Sequence, residues 1–157
     1  MQANSPWDSD RAAAIIRDHV HLEGATLPIL HALQAEFGHV PQAAVPLVAD
    51  ALNLSRAEIH GCVTFYHDFR RAPAGRHVVK LCRAEACQAV GSDALYEDVK
   101  SRFGVEWHGT TPDGAVTIEP VFCLGLCASG PAALIDDMPV ARFDADQIEA
   151  LIHEAAQ

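Results

Sequence analysis

Apolar positions recur at helical spacing through the first 70 residues of the chain and at strand spacing after them. Asp8 or Ser9 caps a segment from Asp10 to about Leu22, with Ile15, Ile16 and Val20 on one side and Gly24 as its stop. Thr26 precedes a second helix with Pro28 near its first turn, where Ile29, Leu30, Leu33 and Phe37 recur until Gly38. A third segment opens at Pro41 and carries Val45, Leu47, Val48, Ala51 and Leu52. Ser55-Arg56-Ala57-Glu58 has the capping-box pattern and starts a fourth helix toward His67. Four short helices with tight connections predict a small helical bundle or arm. Leu30, Leu33, Phe37, Val45, Val48 and Leu52 offer more apolar surface than such a bundle needs to cover itself, so an exposed apolar interface is expected there.

Arg70-Arg71-Ala72-Pro73-Ala74-Gly75 breaks the helical pattern and reads as a linker, which places domain boundaries at 1–73 and 74–157. The period then changes. His77 to Leu81 reads as a strand running into Cys82, and Ser92 caps a helix through Phe103 with Leu95, Val99 and Phe103 on one face, stopped by Gly104. Val116 to Glu119 reads as a second strand, and Ala132 to Ile135 with Val140 to Phe143 reads as a hairpin around Asp136-Asp137. Asp144 caps a last helix carrying Ile148, Leu151 and Ile152. The order β-α-β-β-β-α, after the helical arm, gives an α+β chain whose second domain is a small α/β unit with one mixed sheet.

Composition narrows the function. Half of the 157 residues are hydrophobic, a fifth are charged, and the formal net charge is −10. That balance repels phosphates, so neither nucleic acid nor an acidic membrane surface is an expected partner. The charge divides unevenly: residues 1–75 carry 5 basic and 8 acidic side chains, net −3, and residues 76–157 carry 6 and 13, net −7. The longest charge-free stretch, Pro120 to Ile135, falls short of the roughly 20 residues that span a bilayer. The N-terminus lacks the basic and apolar regions of a signal peptide, so a reducing cytoplasm is the expected compartment. There, five cysteines point to metal binding or catalysis rather than disulfides.

Four of the five lie in the second domain. Cys82 and Cys87 are separated by four residues, Cys123 and Cys127 by three, and the pairs by 35. Each pair follows a strand, in stretches with loop chemistry, Arg-Ala-Glu-Ala and Leu-Gly-Leu. Two strand-end loops at one end of a sheet would bring four thiolates together, with Gly125 and Gly130 allowing close backbone approach and N–H groups aimed at sulfur. A 2Fe–2S cluster takes four thiolates and suits a first pair spaced by four. Structural zinc also takes four cysteines, usually from tighter knuckles, and stays open on spacing alone. A thioredoxin-type dithiol wants Cys-x-x-Cys, which is absent. Cys62, in the apolar run Gly61 to Tyr66, reads as a buried, inert small hydrophobe.

No dinucleotide or triphosphate motif and no nucleophile motif is present. His19, His21, His60 and His67 are spaced as solvated or core side chains. Lys80 and Arg83 flank the first cysteine, either as surface charges or as groups that offset charge at the metal or meet a partner.

Over nearly its whole length the chain resembles the thioredoxin-like 2Fe–2S subunits that stand beside the flavoprotein in respiratory complex I, NAD-dependent hydrogenases and NAD-dependent formate dehydrogenases. The resemblance rests on Leu27 to Pro41, on Thr64-Phe65-Tyr66 with Phe69, and on Cys82, Cys87, Cys123 and Cys127 with Gly130-Pro131. Cys82-Arg83-Ala84-Glu85-Ala86-Cys87-Gln88 and the short chain look most similar to the gamma subunit of cytosolic molybdenum-containing formate dehydrogenases. Cys62 departs from the small aliphatic residue expected there. The resemblance implies a thioredoxin-like second domain and one 2Fe–2S cluster held by Cys82, Cys87, Cys123 and Cys127. It also implies no catalytic residues of the chain's own. The expected role is electron transfer beside an NADH-binding flavoprotein and, through it, a larger catalytic subunit.

Overall fold

A computed structural model describes residues 5–155. Two compact units divide between Pro73 and Ala74.

The N-terminal unit is built from α1 (Ser9–His19), α2 (Thr26–Phe37), α3 (Ala44–Leu52) and α4 (Arg56–Phe65). The Asp8 carboxylate accepts from the N–H groups of Asp10 and Arg11 at 2.8 and 3.1 Å, satisfying two donors the helix cannot. α4 starts on a reciprocal box: Ser55 N–H donates to Glu58 at 2.8 Å, and Glu58 N–H donates to Ser55 Oγ at 3.2 Å. Gly38 ends α2 in the left-handed conformation at φ 73°. Ile29, Leu30, Leu33, Phe37, Val48 and Ile59 form the closed center of this unit.

Several expectations need correction. Leu30, Leu33, Phe37, Val45 and Val48 do not form an exposed interface, because the four helices are arranged to bury all of them among themselves. Among the described residues, the exposed large apolar side chains of this unit are instead Phe65 and Tyr66 at the end of α4, with Trp7, Val20, Leu22 and Leu54. α1 stops at His19, whose ring nitrogen meets the Ile15 carbonyl at 2.8 Å, so Val20 lies beyond the buried face. Cys62 is only half-buried, packed against the rim of the core. α3 also opens later than Pro41, since Pro41 and Gln42 supply turn carbonyls to Ala44 and Val45. The chain leaving α4 is pinned to α2 by Gln34, which donates to the Asp68 carbonyl and accepts from Arg70 N–H, both at 2.7 Å.

The C-terminal unit runs β1 (His77–Cys82), α5 (Glu85–Ala89), α6 (Ser92–Phe103), β2 (Val116–Val121), a 3-10 turn (Cys127–Ser129), β3 (Ala132–Ile135), β4 (Met138–Ala141) and α7 (Ala145–Ala155). The sheet has the order β2-β1-β3-β4, with β1 parallel to β2 and the other two pairings antiparallel. Its mixed α/β character matches the expected thioredoxin-like class. Val79, Leu81, Val99, Val116, Ile118 and Ile148 fill the space between sheet and helices.

The β3–β4 turn is two residues long, with Asp136 and Asp137 both left-handed at φ 48° and 71°. Such a turn admits the shortest hairpin, so β4 begins at Met138 rather than Val140. Asp136 also accepts from Val78 N–H at 2.8 Å and pairs with His77 at 2.6 Å, fastening the turn to the start of β1. Ser92 is the first residue of α6, with Gly91 in the cap position, and Tyr96 joins Val99 on the buried face while Leu95 and Phe103 are partly covered. Asp144 and Gln147 bond reciprocally at 3.0 and 3.1 Å and start α7.

Leu33 is fully buried, so Leu33→Ala leaves a cavity as well as losing transfer energy. It is expected to lower stability by about 2–5 kcal/mol in chemical denaturation followed by helical circular dichroism. A loss below about 0.5 kcal/mol, the level of a surface change, would mean that the helical core is not packed as described.

Candidate metal centre

Cys82 ends β1, directly opposite Val121, which ends β2. The parallel pairing extends one residue further, as Arg83 N–H donates to the Val121 carbonyl at 2.8 Å. The chain leaving β2 is therefore delivered beside Cys82. Cys123 then takes a left-handed backbone at φ 76°, unusual for a residue with a side chain, and turns the loop. Gly125, at φ 75°, makes the next sharp bend with no steric penalty.

This turn aims N–H groups at sulfur. Burial pushes the Cys82 thiol up, but the N–H groups of Ala84, Cys123 and Leu124 and the neighbouring Cys87 outweigh it, and the net shift is down. Two of those donors belong to the second cysteine loop, so the loops are joined through the Cys82 sulfur itself.

Cys87 lies on α5, the short helix that the loop-like Arg-Ala-Glu-Ala composition concealed. Its thiol is pushed up by burial and by Cys82, against one lowering N–H contact from Ala132. The Cys127 thiol is raised by charge on Cys123, then by their hydrogen bond and by burial, with Cys82 a further repulsion. Charge on neighbouring sulfurs thus raises both Cys87 and Cys127, a repulsion that cations placed among the sulfurs would offset. Cys82 and Cys87 are buried, Cys123 and Cys127 exposed, so the site sits at the rim of the sheet with one pair inside and one outside.

A Cβ on Gly130 would come within 2.8 Å of Cγ2 of the exposed Val90, which would have to turn aside, and would touch Cys87 Sγ at 3.5 Å. Gly130 serves by lacking a side chain, not by a left-handed backbone. Val121, Leu124, Leu126 and Ala132 supply apolar walls around the buried pair. Among the described residues no three His, Cys, Asp or Glu side chains converge on a single-ion position. Side-chain hydrogen bonds join Cys82 to Cys87 and Cys123 to Cys127. Cys62 packs against the N-terminal unit's core and belongs to neither pair.

Sequence reasoning missed the ring stack formed by Tyr96 and Trp107, eleven positions apart, with Arg83 against it. No local spacing rule signals such a pairing. The aromatic at Tyr96, one turn beyond Ser92 on a predicted helix, was the available hint.

The sequence profile of the thioredoxin-like 2Fe-2S ferredoxin family matches residues 12–156. One component of the NADH-quinone oxidoreductase of Pseudomonas aeruginosa is 34% identical over 113 residues, covering 72% of this chain and 68% of that protein. Its namesake in the same enzyme of Rhizobium meliloti is 35% identical over 128 residues, covering 82% and 76%. The crystal structure of an NAD+-reducing NiFe-hydrogenase in its H2-reduced state superposes with a TM-score of 0.67 at 27% identity over 83% of this chain. The chain spans only 22% of that hydrogenase polypeptide. It belongs to the thioredoxin-like 2Fe-2S ferredoxin family, whose cofactor is one 2Fe–2S cluster.

Proposed function

We propose that Cys82, Cys87, Cys123 and Cys127 hold the cluster, and that the chain is an electron-transfer subunit of a multisubunit NAD-dependent oxidoreductase. The observation that carries this reading is the parallel register of β1 and β2, which delivers both cysteine pairs to one end of the sheet. When bound, the cluster takes up and returns one electron, its charge with four thiolates passing from −2 to −3.

The chain's own groups fit that task. N–H donors from Ala84, Cys123 and Leu124 favour the more negative state at the Cys82 sulfur. The apolar walls keep water from the buried pair. The net −7 of residues 76–157 opposes the added electron and favours a low potential. Cys123 and Cys127, being exposed, form the side from which an electron enters or leaves.

A partner must supply the two-electron chemistry, because the sequence carries no nucleotide-binding motif. We assign that role to an NADH-binding flavoprotein and, behind it, a larger catalytic subunit. Residues 1–73 act as the docking arm and residues 74–157 as the cluster domain. The relatives named as NADH-quinone oxidoreductase subunits and the solved NAD+-reducing hydrogenase support the NAD-linked setting. Within it, the run from Cys82 to Gln88 favours a cytoplasmic molybdenum-containing formate dehydrogenase. Among the described residues no helix is long and apolar enough to cross a membrane.

Each of Cys82→Ala, Cys87→Ala, Cys123→Ala and Cys127→Ala is expected to abolish or severely deplete iron in anaerobically prepared protein. Cys62→Ala should keep the full complement and lose about 1 kcal/mol of stability. Retention of iron by any of the first four, or its loss in folded Cys62→Ala, would reject the ligand assignment. For the parent complex, the assembly purified from its native source is expected to contain molybdenum and to reduce NAD+ with formate. Nickel with hydrogen-dependent NAD+ reduction, or NADH–quinone activity without molybdenum, would reject the formate reading and leave the electron-transfer role intact.

A further inference from the structure

Arg83 follows the first cysteine, and its main chain is used on both sides. Its N–H donates to the Val121 carbonyl of β2 at 2.8 Å, and its carbonyl accepts from the Gln88 side-chain amide of α5 at 2.9 Å. The residue therefore ties the loop between Cys82 and Cys87 to both strand and helix. Ala84, the next residue, supplies one of the N–H donors at the Cys82 sulfur.

The side chain is laid on a braced platform. The guanidinium carbon lies 5.2 Å from the centroid of the Trp107 ring, within cation–π range. Trp107 stacks on Tyr96 at 3.8 Å with the planes 9° apart. Tyr96 Oη accepts from Trp107 N–H at 3.1 Å and donates to Glu106 at 3.0 Å, and Lys100 pairs with Glu106 at 2.8 Å. A terminal Arg83 nitrogen stands 3.6 Å from Asp93 in the first turn of α6. Both α6 and the segment after it are thereby engaged in holding one arginine.

Stability alone does not explain that choice. Arg83 Nε is buried with no hydrogen-bond partner, and an unsatisfied charged donor is destabilising. An apolar stem would cover Trp107 without that penalty. What the arginine adds is a planar group that fits flat on the indole while its end reaches Asp93, fixing the backbone one residue from the Cys82 sulfur.

We propose that Arg83, seated on the Trp107–Tyr96 stack, is a positioning residue that fixes the Cys82–Cys87 loop and so sets the cluster's reduction potential and its hold on iron. The inference rests on the ligand reading above. N–H···S bonds stabilise the reduced cluster, so a loop free to shift weakens the Ala84 contact and lowers the potential. A simple counter-charge role, as the excess of acidic residues would also suggest, makes a different forecast. Lysine keeps the charge but not the planar contact.

The test is a redox titration of the full-length protein followed by electron paramagnetic resonance, with the rate of iron release to a chelator measured in parallel. Arg83→Gln is expected to shift the potential downward and release iron several-fold faster. Arg83→Lys should recover only part of either effect. Trp107→Leu should move both readouts in the same direction although no charge changes, and Trp107→Phe should stay near wild type. Full recovery in Arg83→Lys, or wild-type values in folded Trp107→Leu, would overturn the proposal. If Trp107→Leu does not fold, Arg83→Lys decides alone. Wild-type potential and iron release in Arg83→Gln would refute this inference and leave the ligand assignment standing, whereas an iron-free wild-type protein would refute the ligand assignment itself.

Discussion

Parallel pairing of β1 with β2, in the register that sets Cys82 opposite Val121, is the constraint on which the rest of the site depends. Parallel neighbours end on the same side of a sheet, so loops that start 39 residues apart, after Cys82 and Val121, emerge together. A one-residue slip would turn Cys82 to the other face and part its sulfur from the Cys123 and Leu124 N–H groups. The crossover through α5 and α6 makes the parallel arrangement possible, and it contributes Cys87 on the way. The antiparallel neighbour β3 then brings Ala132 under Cys87 and places Gly130 where a side chain would intrude.

The electrostatics follow from that geometry. Burial and the Cys82 sulfur raise the Cys87 thiol, and charge on Cys123 raises the exposed Cys127 thiol. Cys82 goes the other way because three main-chain donors face it. On the ligand assignment proposed above, metal among the sulfurs would offset the charge that raises Cys87 and Cys127. The family to which the chain belongs identifies that metal as a 2Fe–2S cluster.

Much of this is legible in the residues. Asp8, Ser55 and Gly38 mark helix ends through local hydrogen bonding and backbone conformation, and each acts where its chemistry indicates. The strand running into Cys82 and the two-residue Asp136-Asp137 turn are also local signals. What escapes depends on contacts between distant residues. α5 has five residues and no side-chain cap, too short for a periodicity to register. Cys123 is left-handed because the loop must turn toward Cys82, which no propensity of cysteine announces. The apolar stripes of α2 and α3 suggest an exposed interface because amphipathic faces do not reveal which partner covers them, and here the four helices cover each other. In the sequence Arg83 is a charge beside a cysteine, while its seat on Trp107 and Tyr96 comes from tertiary packing alone.

Iron-edge X-ray absorption on anaerobically purified, full-length protein tests the central claim most directly, since it reports the metal and its neighbours at once. Four sulfur neighbours around each iron, together with scattering from a second iron, are the result expected if two cysteine pairs from two parallel strand ends hold a 2Fe–2S cluster. A zinc edge without iron, or iron surrounded by nitrogen and oxygen with no second iron nearby, would contradict it.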